Sequence, residues 1–151
     1  MEKQLETYLY EHIPLSQAMG IRVEHASTHK IILSAPLSHN INHKKTVFGG
    51  SLHAVATLAC WSLLHLNLEG KSDEKIQIVI TKSDVSYHAP VDTDFQVGCI
   101  MPEDAVWQRF IKTLRLKSKA RIQLSATVYH KNRLAVDYQA TFAAIRTSGE
   151  R

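Results

Sequence analysis

The segment Asn40-Ile41-Asn42-His43-Lys44-Lys45-Thr46-Val47-Phe48-Gly49-Gly50-Ser51 joins a polar run to two adjacent glycines and then to a long apolar stretch. If that stretch is a helix, its first N–H groups have no intrahelical acceptor and sit at the positive end of the helix dipole. Gly49 and Gly50 carry no side chain to block approach. A carbonyl oxygen placed there would be stabilised as negative charge grows on it, which is the chemistry of an oxyanion hole. The alternative is that the two glycines only ease close packing at a loop-to-helix corner. His53 and Thr57 follow four residues apart, so they share a helix face. Thr57 either bonds to the carbonyl one turn back or holds a water beside the glycine amides. No Asp or Glu occurs between Asn40 and Leu68. A hydrolytic site here therefore lacks a carboxylate base, and His43 is the nearest group that titrates near neutrality. His43 also reads simply as a loop histidine facing water.

A second candidate lies in Ser83-Asp84-Val85-Ser86-Tyr87-His88. In a strand, Ser83, Val85 and Tyr87 fall on one face and Asp84, Ser86 and His88 on the other. Val79, Val85 and Tyr87 favour the first as the buried face. Phosphate-loop patterns of the GxxxxGK[ST] and GxGxxG types are absent, as are a GxSxG elbow and an HExxH pair. The nine histidines are scattered without ligand spacing, and no metal site is expected.

The elements that must position these residues are legible from periodicity. Glu2 to Ile13 reads as a short amphipathic helix ended by Pro14. Gly20 to His25 and Ile31 to Leu37 read as a strand pair. Leu52 to Asn67 is apolar nearly all round, the mark of a buried helix. Strands are expected at Ile76–Ala89, Asp94–Met101, Ala120–His130 and Leu134–Ile145, with Lys131-Asn132-Arg133 as a hairpin turn. Val106 to Leu116 fits either a short helix or a continued strand. One long helix wrapped by a curved antiparallel sheet satisfies this order, an α+β architecture of the hotdog type. Such a unit leaves a sheet edge uncovered, so a homodimer or a dimer of dimers is expected.

At 151 residues, with 44% hydrophobic and 21% charged residues, the chain reads as one globular domain over 1–151 rather than a disordered one. Cys60 and Cys99 lie in apolar runs without metal-like spacing, and Met1 to Glu6 is too polar for a signal peptide. The Leu52–Leu68 stretch is interrupted by His53, Thr57, Ser62, His65 and Asn67, so no membrane span is expected and the expected location is cytoplasmic. The net charge of +4 is uneven: Ala105 to Val136 holds eight Lys and Arg with no acidic residue. That block suits an anionic partner, or is a solvated face. Nucleic acid is not the expected partner, because few aromatics are interleaved for base stacking.

The run His12-Ile13-Pro14-Leu15, Ala18-Met19-Gly20, Ala35-Pro36-Leu37, Asn40-x-Asn42-His43-Lys44-x-Thr46-x-Phe48-Gly49-Gly50-Ser51-Leu52 resembles the thioesterase domains of the YiiD C-terminal type. Ile78-Val79-Ile80, Tyr87-x-x-Pro90-Val91, Asp94-Phe95 and Lys119-Ala120-Arg121-Ile122 extend the resemblance over nearly the whole chain. The wider hotdog thioesterases of the phenylacetyl-CoA type carry an Asn, a His-Gly-Gly and then an Asp on the central helix. This sequence is similar with changes. Asn42 falls at the Asn position, Phe48 replaces the His, Gly49 and Gly50 match, and Thr57 stands where those enzymes place the Asp.

The resemblance implies hydrolysis of an acyl-CoA or acyl-carrier-protein thioester, with the Gly50 amide polarising the carbonyl. Asn42 and Thr57 would then position the water, with His43 or Ser83 assisting. No separate cofactor is implied, CoA being part of the substrate. Its phosphates, or an acidic carrier protein, would meet Lys117, Lys119 and Arg121. The missing carboxylate leaves a non-hydrolytic thioester-binding or acyl-transfer domain as the alternative.

Overall fold

The computed structural model describes residues 1–69 and 75–147. Helix α1 (Glu2–His12) buries Leu5 and Leu9 and stops before Pro14, which opens the short helix α2 (Pro14–Ala18). Strands β1 (Arg22–Ala26) and β2 (Lys30–Ala35) form a hairpin, and a single turn, α3 (Leu37–Asn40), leads into the polar segment. The long helix α4 runs from Gly49 to Leu68, about 30 Å at 1.5 Å per residue. Strands β3 (Lys75–Tyr87) and β4 (Phe95–Ile100) follow, then helix α5 (Asp104–Lys117) and the hairpin of β5 (Lys119–His130) and β6 (Arg133–Thr147). The six strands make one antiparallel sheet in the order β1-β2-β4-β5-β6-β3. A curved antiparallel sheet around one long helix is the hotdog fold, as expected.

The helix reading is the right one for Val106–Leu116. Trp107, Phe110, Ile111 and Leu114 return every three or four residues to one packed face, and Ser118 ends the helix in the left-handed region at φ 59. The β5–β6 turn is also as expected, with Lys131 and Asn132 at φ 52 and 64, the two positive values a type I′ turn requires.

Helix α4 is the centre of the core. Val55, Ala59, Cys60, Leu63 and Leu64 are fully buried, and the sheet supplies Ile31, Leu33, Val97, Cys99, Leu124, Tyr138 and Phe142 against them. The helix is long and apolar enough to cross a membrane by length and composition, yet most of it is enclosed by the sheet.

The two sheet edges are treated differently. At the β1 edge, α1 lends carboxylates to strand N–H groups: Val23 N donates to Glu6 Oε1 (3.0 Å) and Ala26 N to Glu2 Oε2 (2.7 Å). The Ala26 bond holds the exposed Glu2 carboxyl below its ordinary pKa. The β3 edge has no such cover among the described residues, and Val79 and Ile80 on it are 42% and 43% exposed.

Leu63 is fully enclosed midway along α4. Leu63→Ala is expected to cost about 2–5 kcal/mol through lost burial and a residual cavity, read from urea unfolding with an unchanged slope.

Candidate active site

The polar segment is a built loop. Asn40 is buried and donates from Nδ2 to Met19 O (2.9 Å) and Pro36 O (2.8 Å), while its own carbonyl accepts Phe48 N (2.7 Å). Ile41 and Val47 form a bridge, and Val47 N donates to Val91 O at 2.7 Å. Asn42 closes the turn between them. Its Oδ1 accepts Lys44 N (2.9 Å) and Thr46 N (3.1 Å), and its Nδ2 donates to Thr46 Oγ1 (2.9 Å). Lys45 takes a positive φ of 64 in the same turn. The Asn42 side chain thus holds the loop that delivers Gly49 and Gly50. His43 is exposed at the loop tip and has no side-chain hydrogen-bond partner among the described residues.

At the start of α4, Phe48 O accepts both Ser51 N (2.9 Å) and Leu52 N (3.2 Å). The amides of Gly49 and Gly50 are left without an acceptor among the described residues. Gly50 is exposed. A methyl added to Gly50 would lie 2.4 Å from the Phe48 ring, and one added to Gly49 would lie 3.4 Å from Tyr87. A side chain at Gly50 would force the Phe48 ring to shift, whereas one at Gly49 would make an ordinary contact with Tyr87. The Tyr87 hydroxyl donates to Gly49 O (2.9 Å), tying the end of β3 to the first turn of α4, and partial burial raises its pKa.

A β-bulge decides what faces α4 from β3. The register passes from Ile80↔Phe142 to Lys82↔Thr141, so Thr81 is the extra residue. Beyond it, Ser83, Val85 and Tyr87 pair with Ala140, Tyr138 and Val136, the inward row of β6. That much agrees with the sequence expectation. Before the bulge the parity is reversed, and Ile78 and Ile80 share the inward row while Val79 faces out. Strict alternation cannot reveal a bulge, so Val79 was placed on the wrong face by pattern alone.

Between α4 and β3 lies an open seam. Gly50, Ala54, Thr57 and Trp61 mark a helix stripe that the sheet does not fully cover. Ile78, Ile80 and Ser83 face it from β3. Toward the far end of α4 lies a cavity of about 610 Å3, lined by Tyr8, Trp61, His65 and Ile78 and also by the charged Glu69 and Lys75. Tyr8, Trp61 and His65 stack there, with Trp61 and His65 centroids 4.7 Å apart. The buried His65 imidazole is held below its ordinary pKa by desolvation.

Four polar groups sit near the glycine end of the seam. His53 Nε2 lies 3.0 Å from Ser83 Oγ. Thr57 Oγ1 donates to His53 O at 2.9 Å, which uses its only proton. The Tyr138 hydroxyl, 2.6 Å away, must then be the donor to Thr57. Tyr138 is fully enclosed, its pKa is pushed up to about 12 by that burial, and its ring packs on His53 at 5.4 Å. The phenol therefore stays protonated and donating throughout the neutral range.

The structure brings Gly49, Gly50, Thr57 and Ser83 to one seam. Lys117, Lys119 and Arg121 do not join them within one chain. They are exposed, and Arg121 is level with Val79 through Ala143, eight residues before Tyr87 on β3. At about 3.3 Å per residue that is roughly 25 Å from the glycine end. Among the described residues no group of three His, Cys, Asp or Glu could hold a metal ion. Sequence reasoning gave no role to His53, Tyr87 or Tyr138. The available signal for Tyr138 was its place as the one polar-tipped residue in the inward row Val136, Tyr138, Ala140, Phe142, Ala144.

A six-stranded hotdog with unpartnered glycine amides at the start of its central helix defines the class. Residues 2–146 match the family described as Putative thioesterase (yiiD_Cterm), and the chain belongs to that family. A solved protein of unknown function from Chlorobaculum tepidum is 31% identical, covers 97% of this chain and 94% of its own, and superposes with a TM-score of 0.89. A putative thioesterase from Shewanella oneidensis is 24% identical with a TM-score of 0.82, over 95% of this chain and 96% of its own. A thioesterase from Haemophilus influenzae shares the fold at 13% identity and TM-score 0.74, over 97% of this chain and 91% of its own.

Tyr138→Phe removes the donor to Thr57 and is expected to cost about 1 kcal/mol. The Thr57→Val, Tyr138→Phe double variant is expected to lose less than the two singles added, since no hydroxyl is then left unpaired. Urea denaturation of the four proteins checks this.

Proposed function

We propose that the protein hydrolyses an acyl thioester of CoA or of an acyl carrier protein. The observation that carries the reading is the pair of unpartnered amides at Gly49 and Gly50, opening onto a seam that holds an imidazole and a hydroxyl. The thioester carbonyl oxygen lies against these amides, with Gly50 as the principal donor. Preorganised backbone donors at a developing oxyanion are worth about a hundredfold or more in turnover each. The acyl chain runs along Ala54 and Trp61 on one side and Ile78 and Ile80 on the other, ending in the aromatic-lined cavity.

Asn42 acts in this reading through the loop it closes, and Thr57 through the backbone of His53 that it pins. His43 at the exposed loop tip is placed to meet the carrier rather than the reacting atoms. Membership of a thioesterase family supports hydrolysis over simple thioester binding.

The same reading includes a homodimer. Among the described residues the β3 edge has no cover and exposes Val79 and Ile80, while the β1 edge is covered, so a second copy pairs along β3. Two-fold antiparallel pairing puts the Lys75 end of one β3 beside the Tyr87 end of the other. The second copy then brings its Lys117, Lys119 and Arg121 toward the glycine end, where an anionic carrier would sit.

The test is thiol release from a panel of acyl-CoAs by the wild type and by Gly50→Ala. The added methyl presses the half-exposed Phe48 ring over the amide. Turnover is expected to fall at least tenfold with an unchanged circular dichroism spectrum. Equal rates in both proteins would contradict a thioester carbonyl seated against the Gly50 face of the helix start.

A further inference from the structure

We propose that His53 is the general base of the hydrolysis and that Ser83 is the positioning residue that sets its tautomer. This rests on the thioesterase reading above and names the group that takes the proton in a helix without a carboxylate.

Helix side chains tilt toward the N-terminus, so His53, one turn into α4, leans back over Gly49 and Gly50. One ring nitrogen, Nε2, is 3.0 Å from Ser83 Oγ. The other, Nδ1, has no partner among the described residues. Which nitrogen carries the proton is set by the bond that the other ring atom makes. With Ser83 Oγ accepting from Nε2–H, Nδ1 keeps its lone pair and is the ring nitrogen left open to a water.

The supports of the ring are as well defined as its bond. It meets the buried Tyr138 ring in a tilted contact, with centroids 5.4 Å apart and 53° between the planes. Its backbone carbonyl accepts Thr57 Oγ1, and Thr57 accepts in turn from Tyr138. Thr57 therefore stands where a carboxylate would be expected but spends its proton on holding His53. The other two candidates are less well placed: His43 is at the loop tip, and Asn42 is committed to its turn.

The step balances without any further reactant. Nδ1 takes a proton from a water whose oxygen bonds to the thioester carbon, and the carbonyl π electrons move to oxygen at the Gly49 and Gly50 amides. The tetrahedral intermediate collapses, the C–S bond breaks, and the proton on His53 passes to the departing sulfur. The products are a carboxylic acid and a free thiol.

The experiment measures kcat and KM for the best acyl-CoA with the wild type, His53→Gln, His53→Ala, Ser83→Ala and Ser83→Thr, each checked for folding by thermal melting. His53→Gln is expected to lower kcat by about a hundredfold or more with little change in KM. Added imidazole is expected to restore part of the His53→Ala rate, which a purely structural role would not allow. Ser83→Ala is expected to lose about tenfold in kcat alone by releasing the tautomer, and Ser83→Thr to recover it. A folded His53→Gln protein that turns over at the wild-type rate would overturn the inference while leaving the thioesterase reading standing. An acyl adduct on Ser83 by mass spectrometry would overturn it too, since Ser83 would then be the nucleophile. Absence of hydrolysis by the wild type on every thioester would take down both.

Discussion

A helix with no polar face must be covered on every side, and a single curved sheet cannot do that alone. This constraint organises the molecule. The inward rows of β2, β4, β5 and β6 cover most of α4, and α1 adds Leu5 and Leu9 to the core. Toward β3, the last strand of the sheet, Gly50, Ala54, Thr57 and Trp61 stay partly open. A strip of half-covered helix that begins at two free amides is at once the least completed part of the core and the best place to put a ligand.

The polar groups in that strip show how a fold carries chemistry within an apolar core. A hydroxyl or ring nitrogen out of water must be hydrogen-bonded or it costs stability. Tyr138 donates to Thr57 and Thr57 to the His53 backbone carbonyl, so those roles are fixed in turn, and the His53 ring separately meets Ser83. One imidazole nitrogen and two glycine amides are left without a partner among the described residues. Those are an acceptor of protons and donors to an oxyanion, the complementary pair that acyl transfer to water requires.

Much of this was legible in the sequence. The all-round apolar run and the strand alternation gave the wrapped helix, and Gly49-Gly50 marked its start, because burial and backbone freedom are written in residue type. Periodicity failed where a single residue changed the parity. The bulge at Thr81 moved Val79 outward and Ile78 and Ile80 inward, and nothing in the composition of that strand announces an extra residue. Asn42 was legible as important, but not as a turn former whose amide is used up locally, because Asx turns and site residues draw on the same side chains. The basic residues at positions 117, 119 and 121 were legible as a charge block, but their distance from the glycines depends on sheet register, which no local pattern contains.

The most direct test of the central claim is to follow backbone amide resonances while titrating a CoA ketone that keeps the carbonyl but replaces the thioester sulfur with carbon. The account predicts downfield shifts at Gly49 and Gly50 as their N–H groups gain an acceptor, with further changes along Ala54 and Trp61. Saturable binding that leaves both glycine amides unmoved and shifts residues elsewhere, for example around Gly98 on the outer face of the sheet, would contradict it.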